Sequence, residues 1–175
     1  MNWREFKPTL TFLGRFLGLY LVTNFLYGLA VTAWAPVADP LTRSVTEQTA
    51  AVVSMLGYPS STRDVPGKAT VSIVHAGRGV VSVYEGCNGA NVVLIFLSFL
   101  LAFGPYRGAM VWFGAAGMLL IHLANLGRIG LLFYVSLRFP DYLYFVHKYL
   151  FTASIYALAL LLWMVWIRYF TAPRT

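Results

Sequence analysis

The chain is short of charge, and shorter still of acid. Only 11% of its 175 residues are charged, and six acidic residues face thirteen Lys and Arg, a formal net charge of +7. Hydrophobic residues make up 59%, a balance that excludes a soluble globule. The basic residues are scattered and form no run, so they do not argue for a nucleic-acid partner; membrane topology accounts for them better. Cysteine is all but missing. The single one, Cys87, rules out an internal disulfide and any multi-cysteine zinc site. Repeats and low-complexity tracts are lacking too, and the length suits one integral-membrane domain over residues 1–175.

What the chain has is apolar runs near the roughly 20 residues that cross a bilayer as a helix. The first, Phe12 to Trp34, follows Arg4, Lys7 and Arg15. Ala33-Trp34-Ala35 looks like a signal-peptidase site, but the run exceeds an h-region of about 7–15 residues and reads as a retained membrane helix. The second spans Asn88 to Phe103 and ends in the turn Gly104-Pro105-Tyr106-Arg107-Gly108. The third covers Ala109 to Leu137, and the fourth Phe145 to Ile167. Pro36 to Gly86 is the one polar stretch. Asp39-Pro40 suits a helix start, and Leu41, Val45, Val52 and Leu56 then recur at helical spacing until Gly57 and Pro59 stop the pattern. Thr70–Ala76 and Val80–Glu85, joined through Gly77-Arg78-Gly79, read as a β-hairpin. The expected fold is an all-α membrane protein: about four transmembrane helices, with an extracytoplasmic amphipathic helix and a small hairpin as partial cover. The positive-inside rule places both termini, with Arg4, Lys7, Arg107, Arg168 and Arg174, in the cytoplasm, and residues 36–86 outside.

Ionisable side chains inside apolar segments are costly and are functional candidates by default. Arg128 follows the cytoplasmic turn by about 20 residues, and His147 precedes Arg168 by about as many; at about 1.5 Å per residue each lies roughly 30 Å away, one hydrocarbon thickness. Cys87 begins the second run, where a helix start favours an anion. Three segments thus bring Cys87, Arg128 and His147 to the outer membrane face. Cysteine with histidine is the minimum for thiol nucleophilic catalysis, and a fixed guanidinium can stabilise an oxyanion. Asn125, on the same helix face as Arg128, is placed to orient that side chain or a substrate. Glu85 either pairs with Arg128 or solvates a strand end. Blander roles stand beside these: Cys87 as a small residue in a tight helix start, Arg128 snorkelling to headgroups, His147 as interfacial polarity. His122 lies about 240° round the helix from Arg128 and faces elsewhere; His75 reads as a strand residue. The aromatics Tyr142, Tyr144 and Phe145, and Trp163, Trp166 and Tyr169, read as interfacial belts.

Glu85-Gly86-Cys87-Asn88-Gly89, then Asn125-x-x-Arg128 on a later membrane helix, then His147 ahead of the last, resemble the exosortase/archaeosortase family. The size and the Phe139-Pro140-Asp141-Tyr142 to His147 spacing look most like its short single-domain types, exosortase F or H. Gly127 departs from the bulkier apolar residue many members carry before the arginine. The resemblance implies a membrane-embedded cysteine transpeptidase of the bacterial inner membrane, with Cys87 as nucleophile, Arg128 as transition-state stabiliser and His147 as acid/base. Asn125, Glu85 and Asn88 would bind or orient the substrate. It implies a C-terminal sorting-signal helix as substrate, a lipid or glycan acceptor, lipid contacts, and no metal or organic cofactor. The rival readings are a non-catalytic carrier or assembly protein binding an anionic lipid at Arg128, and a thiol-dependent membrane acyltransferase.

Overall fold

A helix of 30 residues, α1 (Trp3–Thr32), opens the fold; the computed structural model describes residues 3–104 and 108–170, so Arg107 and Arg174 of the charge pattern lie outside it. Hydroxyls within α1 turn back on their own helix, as Thr11 to the Lys7 carbonyl and Thr23 to that of Leu19, both at 2.8 Å. These hydroxyls are thereby satisfied without water. The helix packs on α3 (Ala90–Phe103) through Phe12 and Phe16 against Phe99.

Helix α2 (Pro40–Met55) starts where expected: the Asp39 carboxylate accepts from the N–H groups of Leu41 and Thr42, and Pro40 occupies the first turn. Its buried face differs from the expected stripe. Thr42, Val45, Thr46, Thr49, Ala50 and Val53 are buried, whereas Leu41, Val52 and Leu56 are exposed. Thr46 and Thr49 satisfy their hydroxyls on carbonyls one turn back, at 2.7 and 2.8 Å, so a threonine face can be buried without loss.

The hairpin belongs to a three-stranded antiparallel sheet, β1 (Ser60–Asp64), β2 (Thr70–His75) and β3 (Arg78–Tyr84), in sequence order. Its turn is tighter than the expected Gly77-Arg78-Gly79. His75 pairs with Arg78, leaving Ala76 and Gly77 as the two turn residues, both at positive φ (49° and 78°), as a tight hairpin requires. A bulge follows at Ile73/Val74. His75 ends β2, with Nδ1 2.7 Å from the Pro59 carbonyl.

After a single 3-10 turn, Glu85–Cys87, the chain enters α3, returns along α4 (Gly108–Arg138) and reaches α6 (Thr152–Phe170) through a turn at Pro140–Tyr142, a helical turn α5 (Leu143–Phe145) and a π-helical segment, Val146–Phe151. Three helical stretches are long and apolar enough to cross a membrane: Phe6–Thr32, Gly108–Arg138 and Pro140–Phe170. About four were expected. The difference is α3, whose 14 residues reach about 21 Å at 1.5 Å per residue, short of a hydrocarbon core of roughly 30 Å.

Two cores result. One joins α2, the sheet and the C-terminal half of α4 through Val45, Val53, Ile73, Val83, Ile129 and Phe133, with Cys87 among them. The other joins α3, α4 and α6 through Phe96, Leu100, Ile121, Ile155, Ala159 and Trp166. Gly117 matters here: a Cβ at that position would lie 2.3 Å from the Phe96 ring. Trp166 is a core residue rather than part of a belt, its Nε1 donating to the Gly104 carbonyl at 2.8 Å, and Trp163 stacks on Phe99 at 4.3 Å. Tyr142, Tyr144, Phe145 and Tyr169 are exposed.

Candidate active site

Cys87 is buried in the first of these cores, fixed by its backbone. Its carbonyl accepts from Asn125 Nδ2 at 3.1 Å and Arg128 Nη2 at 3.0 Å, two residues one turn apart on α4. Neighbouring glycines make the approach possible. Gly89 has φ of 87°, and a Cβ there would stand 3.2 Å from the Asn125 amide. Gly86 lies under the Tyr84 ring, which a Cβ would meet at 2.5 Å.

Asn88 is buried, and its polar atoms bind the protein itself. Nδ2 donates to the Tyr27 hydroxyl at 2.6 Å and to Thr42 Oγ1 at 2.9 Å, and Oδ1 accepts from the Ala90 N–H at 2.9 Å. It ties α1 and α2 to the cysteine turn. Glu85 is exposed, and the ion pair found among the described residues joins Arg43 to Asp64, not Glu85 to Arg128. His122 faces α2, its Nε2 2.7 Å from Gln48 Oε1.

Cys87 and His147 line one cavity of about 340 Å³, walled by Val81, Val83, Ile129, Leu132 and Leu143. His147 reaches it from the π-helical segment, and π-helical turns concentrate at functional sites. Around Cys87 three buried polar atoms have no partner among the described residues: His147 Nδ1, Arg128 Nε and Asn125 Oδ1. Buried polar groups are normally satisfied, so a cluster of unmet ones suits a place where a ligand supplies the bonds. Tyr84, to which sequence reasoning assigned no role, sits beside the cysteine; negative charge on Cys87 pushes its phenol above the ordinary range, and burial adds to this. Its place three residues before the cysteine was the available signal. Among the described residues no three His, Cys, Asp or Glu side chains gather as a metal site.

A helical membrane protein with one buried cysteine and a histidine on a shared cavity, beside an arginine and an asparagine within the apolar part, defines a class of small membrane-embedded proteins with a thiol site. The chain belongs to the transmembrane exosortases, whose family model matches residues 9–165. No curated protein and no solved structure matches it.

Proposed function

We propose that the chain is a cysteine transpeptidase that cuts C-terminal sorting signals of exported proteins at the outer face of the inner membrane. The observation that carries this reading is the shared cavity of Cys87 and His147, with Arg128 bonded to the cysteine's own carbonyl. The Cys87 sulfur attacks a substrate peptide carbonyl while its proton passes to His147. Arg128, with N–H groups beyond the one given to Cys87, steadies the oxyanion. Collapse breaks the C–N bond as His147 protonates the leaving amine, and a thioester remains on Cys87. An acceptor amine or hydroxyl resolves it, its proton returning through His147 to the sulfur. Asn125 and Asn88 hold the cysteine turn in place. The apolar walls of the cavity suit a substrate arriving from the lipid, with its membrane helix lodged in the bilayer.

Co-expression of the wild type or Cys87→Ala with a candidate substrate, followed by intact mass of that substrate, tests the reading. Loss of the substrate's C-terminal helix with the wild type alone is expected, and added mass identifies the acceptor class. A fatty-acyl thioester on Cys87 with no peptide cleavage would point to an acyltransferase instead. Slow alkylation of Cys87 that ignores Arg128→Ala and His147→Ala would favour a non-catalytic protein.

A further inference from the structure

Cys87 lines one cavity and the neighbouring Gly86 another. The second, of about 100 Å³, is lined by Gly89, Asn91, Asn125, Arg128, Thr152 and Tyr156 among others, and shares no lining residue with the cavity of Cys87 and His147. Its chemistry is unusual. Asn125 is 1% exposed, and its amide orientation is fixed, because the Cys87 carbonyl can only accept and so takes Nδ2. Oδ1 therefore turns the other way, where no described residue donates to it. Arg128 gives Nη2 to the same carbonyl, and its buried Nε is likewise unmet. Asn125 and Arg128 both line this small cavity, one with an unmet buried acceptor and the other with an unmet buried cationic donor, each costly to leave unpaired. The amino end of α3, capped at Gly89, borders it and adds positive partial charge. Among the described residues no carboxylate pairs with Arg128.

The complementary ligand offers an anionic oxygen to Arg128 and an O–H or N–H to Asn125. The surroundings indicate what carries it. A groove of about 310 Å³ between α4 and α6 shares Arg128 and Ile155 with the cavity and continues along Ala124, Gly127, Leu131 and Leu158. Its floor is open at Gly127, where a Cβ would meet nothing within 4 Å. A polar end joined to an apolar trough in a membrane protein has the form of a phospholipid: phosphate at Arg128, acyl chain along the trough.

We propose that this cavity and groove bind one membrane phospholipid whose headgroup carries a hydroxyl or ammonium hydrogen beside its phosphate. The site lies beside the cysteine turn and shares Arg128 and Asn125 with it, but no lining residue with the cavity of Cys87 and His147. It selects phosphatidylethanolamine or phosphatidylglycerol over phosphatidylcholine, whose headgroup has no hydrogen to give Asn125.

The test is native mass spectrometry of the full chain released from nanodiscs containing the three lipids in equal amounts. Retention of the ethanolamine or glycerol lipid is expected to exceed that of the choline lipid by roughly tenfold, the effect of one unmet buried hydrogen bond. Asn125→Ala is expected to level the three. Gly127→Leu, whose Cβ meets nothing within 4 Å and which favours the helix, is expected to fill the trough and abolish retention while Cys87 alkylates at the wild-type rate. Equal retention of all three lipids by the wild type overturns the proposal, and so does unchanged retention by Gly127→Leu. Failure of the peptidase reading would leave these ratios untouched, so the two are separable.

Discussion

At the residue scale, Asn88 shows how a polar side chain next to Cys87 can have every partner within the protein. It makes three hydrogen bonds, to α1, to α2 and to the first turn of α3, and Thr42, which it meets, is itself fully buried. Asn88→Ala would leave these groups unmatched, at a cost of about 2–4 kcal/mol, and lower Tm by on the order of 5–10 °C. A thermal melt in detergent checks this, and an unchanged Tm with lost activity would instead mark Asn88 as a substrate contact. From sequence its role could not be separated from that of Asn125. Both are asparagines near the same depth, and only the three-dimensional partners distinguish a tie between helices from a group with an unmet oxygen. Cys87, Arg128 and His147 were more legible, because helix rise converts residue number into depth whatever the packing. The second cavity was not legible at all, since it depends on which way one amide is turned.

At the scale of elements, the π-helical segment Val146–Phe151 sets where His147 points. A π turn is an α-helix with one residue too many; removing that residue restores the α repeat and turns everything before it by about 100° relative to α6. Deleting Tyr149, an exposed residue, is therefore expected to swing His147 away from Cys87 and abolish activity as fully as His147→Ala. Tyr149→Ala should retain activity, and Trp166 fluorescence should stay that of a buried indole in both. Substrate cleavage reads the outcome; an active deletion would show that His147 is placed by something other than this segment. No periodicity in the sequence marks a π turn, which is why the fourth helix was read as uniform. The face of α2 was misread for a related reason. Hydropathy assigns threonine to water, whereas in a helix its hydroxyl can bond back and be buried. Strand β1, Ser-Ser-Thr-Arg-Asp, has no apolar alternation to reveal it and is recruited by pairing with β2.

At the scale of the whole molecule, the open matter is how a 14-residue helix fits among longer ones. Lys7 and Arg15 of α1 line a pocket with Ala102 and Phe103 at the end of α3, while Asn24 bonds to Asn91 and Tyr27 to Asn88 at its beginning. The two helices are antiparallel, and α3 matches the part of α1 between Arg15 and Tyr27. Trp166, near the end of α6, bonds to Gly104 at that same end of α3. One end of the bundle therefore gathers Lys7, Arg15, Gly104 and, just beyond Trp166, Arg168; the other gathers Tyr27, Cys87, Arg128 and His147. By the positive-inside rule that basic end is expected to face the cytoplasm and α3 to cross despite its length, with local thinning of the bilayer making up the mismatch. Single cysteines in a Cys87→Ala background test this. Arg63→Cys, in the exposed part of β1, should react with a membrane-impermeant maleimide on intact spheroplasts, whereas Arg168→Cys should react only after lysis. If α3 merely dips into the membrane and returns, α4 and α6 reverse direction relative to α1, and Arg168→Cys would then label from outside together with Arg63→Cys. That result would also carry Arg128 and His147 to the face opposite Cys87 and break up their shared site, so this one experiment bears on the reaction as well as the topology.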